Sequence, residues 1–321
     1  MDKAKRAQTA ETPKQPSLGL KLRAPYLYPD RAYSAWRAER KPSSIQREEQ
    51  EGIMQIAFAA SPRAEGQNAL RDLVKRYGQA EVGAADYVVA IGGDGTALRA
   101  LHATLVGETK PVFAMRLHGS IGHLSNSYSL TDLPRRLEQA VRFTLHPLQA
   151  DVEHATGERR SVFSINDACL LRQTRLAAKL LITVNKVQGS TAFIGDGVLL
   201  ATPIGSTAYN RSAGGPLLPL GSRLLALTGI APYRIGTWSH VALKDDAIVD
   251  VEVLAPIWRP VRLETDVEEL PNIARVRMRL VRQRRLVLLF DPEVSLQERQ
   301  MQRFEGSDVA HSRLPSESRG G

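Results

Sequence analysis

Gly92-Gly93-Asp94-Gly95-Thr96 follows directly on the apolar run Tyr87-Val88-Val89-Ala90-Ile91. A β-branched run ending in a glycine cluster predicts a buried strand entering a tight loop. A helix is expected next, with Thr96 as N-cap and Ala97, Leu98, Leu101 and Leu105 on its apolar side. Glycines let backbone N–H groups close on a ligand, and a helix N-terminus favours anions. Gly92, Gly93, Gly95 and Thr96 are thus suited to cradling phosphate. Asp94 is the lone acid among them. A carboxylate is a poor phosphate ligand, so it reads as a metal ligand or as a base facing a hydroxyl. The same residues also suit a plain strand-to-helix turn whose acid caps the helix.

Three further segments carry chemistry. Gly119-Ser120-Ile121-Gly122-His123-Leu124 follows the apolar run Pro111–Met115. On its own it is an ordinary loop. After a strand adjacent to the Asp94 strand, it would line the same crevice at the carboxyl ends of a parallel sheet. Ile165-Asn166-Asp167-Ala168 places an amide beside a carboxylate in an expected strand. An amide reads a purine edge with a donor and an acceptor, and a carboxylate accepts from ribose hydroxyls. The last segment runs from Gly195-Asp196-Gly197 through Thr202-Pro203-Ile204-Gly205-Ser206-Thr207-Ala208-Tyr209 to Asn210-Arg211-Ser212-Ala213-Gly214-Gly215-Pro216. It is too polar for a core and too specific for a linker; its donors, acceptors and one aromatic face suit a nucleoside.

The elements that must position these residues follow from pattern. Residues 1–50 lack sustained periodicity and are expected to form a disordered basic extension, with a short helix near Ala32–Arg40. Order should begin with a strand at Ile53–Ala60, then a helix at Asn68–Tyr77, the Tyr87–Ile91 strand with its loop and helix, a strand at Pro111–Met115, and a helix at Thr131–Phe143 capped by Thr131. Strands alternating with helices mean an α/β domain with a parallel sheet, here 51–145. From His146-Pro147 the pattern turns to alternating strands: Ser161–Leu171, Ala178–Val187, Ala192–Thr202, Ile248–Leu254, Val276–Leu280 and Leu286–Phe290. Helix signal is confined to the stretch after Pro203 and to Ser222–Leu227. This predicts a β-rich domain over 146–291 and a polar tail over 292–321 with a short helix at Ser295–Arg303.

Composition narrows the classes. At 321 residues and 43% hydrophobic the chain can hold two domains. No run of 18 apolar residues exists, and the polar N-terminus has no signal core, so no membrane span is expected and a cytoplasmic setting is. The single cysteine, Cys169, agrees with a reducing compartment. The net charge of +9 raises the question of nucleic acid. Arg275, Arg277 and Arg279 alternate with Val276, Met278 and Leu280, which instead predicts a strand with one solvated face. A pull toward polyanionic substrates is use enough for the rest. Seven histidines without H-x-x-x-H spacing and one cysteine give zinc little support. Nucleophile-elbow and Walker-type phosphate-loop patterns are both missing.

In their order and spacing the four segments resemble the NAD kinase family, over roughly residues 52–291. The family carries a GGDGT loop, an NxGxxGFL-like loop, an Asn-Glu pair and a DG…TPTGSTAYxxSAGGP run. GGDGT is shared with diacylglycerol and sphingosine kinases; the TPIGSTAY run of this chain separates it from them. Leu288-Leu289-Phe290-Asp291-Pro292, Ser295-Leu296 and Glu298-Arg299 resemble the alphaproteobacterial branch. The resemblance implies an α/β domain, a β-rich domain and a site between them, where ATP phosphorylates the 2′-hydroxyl of the adenosine ribose of NAD. It implies Mg²⁺ or another divalent cation, a homodimer or homotetramer, and neither nucleic acid nor membrane as partner. Asp94 matches the family's general base. Asn166 and Asp167 match the pair holding adenine and ribose. Asp196 matches an aspartate near the nicotinamide half, Thr207, Ala208, Tyr209 and Ser212 the adenine-pocket run, and Asp266 an aspartate of a late β hairpin. Four positions depart from the pattern: Asp167 for Glu, His123 for an aromatic against the dinucleotide, Leu117 for Asn or His, and Val267 for Gly or His. They support one rival reading, a dinucleotide-binding regulator without turnover; a second, a diacylglycerol-type lipid kinase, rests on the shared Asp94 and its glycines.

Overall fold

A computed structural model describes residues 54–105, 107–117, 123–189, 192–233 and 239–294. The expected extension over 1–50, both expected terminal helices and the Gly119–Gly122 part of the second glycine loop lie outside them.

In chain order the first elements are β1 (Ile56–Ala60), α1 (Ala64–Tyr77), β2 (Tyr87–Ile91), α2 (Asp94–Ala103), β3 (Val112–Arg116), β4 (Asn126–Ser127), α3 (Leu133–Gln139) and β5 (Val141–Leu145). Then come β6 (Leu148–His154), β7 (Arg159–Ser164), β8 (Asp167–Arg172), β9 (Ala178–Val184), β10 (Val187–Gln188), β11 (Phe193–Gly195) and β12 (Gly197–Ala201). A 3₁₀ turn at Gly205–Thr207 and α4 (Tyr209–Ser212) lead to β13 (Leu224–Ile230), β14 (His240–Lys244), β15 (Ile248–Val253), β16 (Val261–Glu264), β17 (Glu269–Leu270), β18 (Ile273–Leu280) and β19 (Leu286–Phe290).

The first sheet has the order β1-β2-β3-β19-β5, with β4 also on β3. β1, β2, β3 and β19 run parallel and β5 antiparallel. Its strands read as continuous apolar runs because both faces are covered. Phe58, Val89, Ile91, Phe113 and Met115 pack with Leu73 of α1 and Leu133 and Leu137 of α3. Ala57, Val88, Ala90, Val112 and Ala114 pack with Ala97 and Leu101 of α2 on the other face. Ile165 and Ile204, from the β-rich part, bury in that same α2 cluster.

The β-rich part is two antiparallel sheets face to face. One runs β10-β9-β15-β18-β6-β7 with β11 on β9, the other β14-β13-β12-β8-β16-β17. Leu148, Leu180, Val251, Val276 and Met278 of the first meet Leu170, Val198, Leu200, Leu227 and Leu263 of the second. The alternation predicted for the arginine strand holds in β18. Val276 and Met278 are buried, while Arg277 lies 2.7 Å from Asp250 and Arg275 3.3 Å from Glu252 on the outer face.

Several expectations are corrected. α1 starts at Ala64, four residues before the predicted Asn68. The Thr131–Phe143 helix is only α3, entered through Asp132 at φ 59 rather than Thr131, because Val141–Leu145 pairs with β19 instead of coiling. Ser222–Leu227 is not helical: Leu224–Ile230 is a central strand between β12 and β14. Leu286–Phe290 leaves the β-rich part and joins the first sheet. The long strands expected at Ser161–Leu171 and Ala192–Thr202 are each broken, the first at Ile165-Asn166 and the second at Asp196. At both breaks the chain passes from one sheet of the sandwich to the other. Asn166 therefore lies at a corner rather than in a strand.

Candidate active site

The phosphate-loop segment sits at the carboxyl end of β2, inside the parallel part of the first sheet. Gly92 has φ +151, and a Cβ there would lie 2.5 Å from the Thr96 hydroxyl and 3.2 Å from Ser61 Cβ. Only glycine fits between the two loops. The helix starts one turn earlier than expected: Gly93 is its N-cap, Asp94 its first residue, and Thr96 is inside it. Thr96 fails as the cap because the Gly93 carbonyl already accepts the first helical bonds, from Thr96 N–H at 2.9 Å and Ala97 N–H at 3.3 Å. The Thr96 hydroxyl instead accepts from Arg99 at 3.2 Å. With glycine as cap, no side chain covers the helix start.

Asp94 joins the two glycine loops. Its carboxylate accepts the N–H of His123 at 3.1 Å and of Leu124 at 2.8 Å. The second loop thus closes on the first through its last residues, as adjacent parallel strands predict. The Leu117 side chain packs partly buried against the first-sheet core.

The β7–β8 corner is built from buried hydrogen bonds. The Asp266 carboxylate accepts from the N–H groups of Ile165 and Asn166, the latter at 3.1 Å, from the Ser164 hydroxyl at 3.0 Å, and from His102 Nε2 at 3.1 Å. The Thr202 hydroxyl donates to the Ile165 carbonyl at 2.7 Å and accepts from Gly205 N–H at 3.2 Å. A Cβ on Gly205 would stand 2.0 Å from the Asn166 carbonyl oxygen, so this close approach of two backbones requires glycine. Asn210, fully buried, donates to the carbonyls of Ser206 and Pro216 and accepts from Thr228, which holds Ala208 and Tyr209 in place.

A cavity of about 320 Å³ opens at this corner, lined by Asn166, Asp167, Ala208, Tyr209 and Asp266, with Cys169, Glu264, Thr265 and Leu98 of α2. Leu98 lies four residues after Asp94, so the two share a helix face about 6 Å apart along the axis. Burial, then the charges of Asp266 and Glu264, push the Asp167 carboxyl up to about 7. Burial also raises the Tyr209 phenol. Nine predicted residues fall outside this cavity lining: Gly92, Gly93, Asp94, Gly95, Thr96 and His123 at the glycine loops, and Asp196, Thr207 and Ser212. Asp196 forms a two-pronged pair with Arg172, at 2.5 and 3.4 Å. The Thr207 hydroxyl donates to the Ile204 carbonyl at 3.3 Å, and Ser212 is exposed at the end of α4. A wider hollow of about 780 Å³ over the outer face of β18 holds none of the predicted residues; its arginines and carboxylates pair with one another.

Sequence reasoning missed Glu264, His102 and the bracing role of Asn210. Asn210 stood in view within the hydroxyl-rich run, but nothing local marked it as buried. His102 and Asp266 are joined across 164 residues, which no spacing rule reaches.

The ATP-NAD kinase N-terminal domain model matches residues 37–143 and the C-terminal domain model residues 166–256. An NAD kinase of Xanthomonas oryzae pv. oryzae (strain MAFF 311018) is 46% identical over 246 residues, covering 76% of this chain and 95% of the relative. One of Hyphomonas neptunium (strain ATCC 15444) is 43% identical, covering 77% and 96%. Yeast NADH kinase complexed with NADH shares the fold with a TM-score of 0.69 at 18% identity, over 83% of this chain and 91% of that one. An NAD kinase from Archaeoglobus fulgidus in complex with ATP gives 0.62 at 19%, over 78% and 99%. With both halves matched and relatives above 40% identity aligned over three quarters of its length, this chain belongs to the NAD kinase family.

Proposed function

We propose that this NAD kinase transfers the terminal phosphoryl group of ATP to the 2′-hydroxyl of the adenosine ribose of NAD through Asp94, with the ribose held at the Asn166-Asp167 corner. The observation that carries the reading is the placement of Asp94 one helical turn from Leu98 in the cavity wall, tied to the second glycine loop. The Asn166 amide suits the adenine edge, and Tyr209 offers an aromatic face beside it. Asp167 accepts from a ribose hydroxyl. A ribose hydroxyl is a feeble acid, so Asp94 takes its proton as the new phosphorus–oxygen bond forms, an effect of ~10²–10⁴-fold. The uncovered start of α2 turns its positive end toward the phosphates. His123 stands beside this loop, where an imidazole can stack on the dinucleotide.

The donor set suits a divalent cation brought in with the nucleotide. Among the described residues no three His, Cys, Asp or Glu side chains converge into a cage. Mg²⁺ is commonly held by one or two carboxylates plus substrate phosphates, and Asp94 is the partly exposed carboxylate at the loop. Held mainly by the nucleotide's own phosphates, the cation would neutralise phosphoryl charge and leave Asp94 as the proton acceptor. A lipid kinase would need an apolar substrate surface, whereas this cavity is lined by Asp167, Glu264 and Asp266. Exposed Ile257 and Trp258 favour a homodimer or homotetramer, and the lone buried Cys169 favours a cytoplasmic setting. No described helix is long and apolar enough to cross a membrane. The test is purified protein with NAD, ATP and MgCl₂, followed by an NADP-specific dehydrogenase assay. ATP-dependent NADP formation is expected; no NADP, or NADP unaffected by Asp94→Asn, overturns the reading.

A further inference from the structure

Helix α2 begins with Asp94 and nearly ends with His102. His102 is chemically out of place there, among the buried Ala97, Ala100 and Leu101. Its side chain is 6% exposed, and its Nε2 lies 3.1 Å from Asp266, whose side chain is 2% exposed. A buried imidazole needs a polar partner, since leaving its N–H unmade is costly. The partner it has is not local. The same carboxylate holds Ile165 N–H, Asn166 N–H and the Ser164 hydroxyl. One buried group therefore fastens the α2 helix to the corner that carries Asn166 and Asp167.

We propose that His102 and Asp266 are a positioning pair for phosphoryl transfer, which sets the proton-accepting Asp94 in register with the ribose held at the Asn166-Asp167 corner. The proposal rests on the functional reading above. Neither residue needs to touch the reacting atoms. Asp94 and His102 ride on one rigid helix, so a shift of α2 against the corner moves the base relative to the hydroxyl. Misplacement of about 1 Å can cost ~10²-fold in rate. Without His102, Asp266 keeps its three donors at the corner, so the nucleotide pocket persists while its link to α2 is lost. Ile165 and Ile204 still pack against the α2 cluster and keep the two parts joined. The signature is a loss in kcat per folded molecule with little change in KM; an unfolded fraction also lowers apparent kcat at constant KM, so each rate is divided by the folded fraction from the melting curve.

The test uses the full chain carrying His102→Leu or His102→Gln, assayed with NAD, ATP and Mg²⁺, with melting curves for each. The glutamine amide places an N–H donor about where Nε2 stands; leucine fills the space without one. His102→Leu is expected to lower kcat ~10–10²-fold with KM for NAD within ~3-fold. His102→Gln should restore kcat to within ~3-fold of wild type. Unchanged kcat in His102→Leu, a loss carried by KM alone, or equal losses in both variants overturns the proposal. Should His102→Leu not fold, His102→Asn, whose amide is too short to reach, takes its place. An Asn variant as fast as the Gln variant then overturns it. Wild-type protein that makes no NADP overturns the functional reading instead.

Discussion

Asp94 and Asp266 carry the same side chain, one a helical turn from Leu98 in the cavity wall and the other in that wall itself, and the fold holds them in different ways. Asp94 stands partly exposed at a helix start and accepts two amides from one neighbouring loop. Asp266 is closed off from solvent and gathers donors from β7, from the β7–β8 corner and from α2. The reaction role proposed for Asp94 rests on its exposure. Asp266 is a fastener between parts of the chain. On the proposed function, burial separates the two: the partly exposed carboxylate is the candidate for reaction and the closed one for architecture.

The sharpest way to break this contrast is to remove each charge separately. Asp94→Asn keeps the shape but cannot accept the proton, so kcat should fall by at least ~10²-fold while NAD affinity, measured by calorimetry, is retained. Near wild-type kcat would move Asp94 to the architectural side. Asp266→Ala should act on stability as well as on kcat. It leaves the N–H groups of Ile165 and Asn166 and the His102 ring without their acceptor, while the Ser164 hydroxyl keeps the Asp167 carbonyl, so the melting temperature should drop by an amount corresponding to ~3 kcal/mol or more. An Asp266→Ala protein as stable as wild type would show that the corner does not depend on it.

Asp167 lies between these extremes and sharpens the contrast through pH. Its folded value near 7 stands above the unfolded 3.8, so the native state holds the proton more tightly. The resulting destabilisation is absent below the unfolded value, grows as pH rises and is complete above about 7. Asp167→Asn removes it. The variant's stability advantage should be larger at pH 8 than at pH 5.5, on the order of 1–2 kcal/mol after allowance for partial exposure. Equal melting differences at both pH values would contradict the assigned cause. The smallest effect is expected at His123, whose backbone holds Asp94 while its ring faces a different task. His123→Ala should weaken NAD binding by ~0.5–1.5 kcal/mol through lost stacking. Unchanged affinity in a titration would leave only the backbone contact.

The same contrast explains what could be read from residues alone. The Asp94 loop is contiguous, and its strand, glycines and helix obey local rules, so it is legible down to single residues apart from the cap. Ser/Thr preference points to Thr96 as the cap, but the glycine immediately before the acid takes that place. The corner is not contiguous. Asn166 and Asp167 are legible as a chemical pair, but alternation continues across the step between sheets and hides the corner where they lie. Asp266 was located only by resemblance, and its tie to His102 depends on tertiary closure. Ser222–Leu227 failed for a related reason: leucines at helical spacing also suit a strand buried on both faces.

β19 has a consequence for how this chain comes to be folded. It fills the gap between β3 and β5 in the first sheet, yet it is made only after all the sandwich strands from β6 to β18. During synthesis the α/β part emerges with the facing edges of β3 and β5 unpaired, while the sandwich, continuous from β6 to β18, has all its strands in hand. Closing the first sheet waits on a contact across the whole intervening segment, a slow kind of closure that exposes apolar edges meanwhile. The boundary between the two family halves is therefore not a boundary between two autonomous folding units. A fragment ending before Leu286 would carry the Asp94 loop on a sheet missing the strand that joins its last two members.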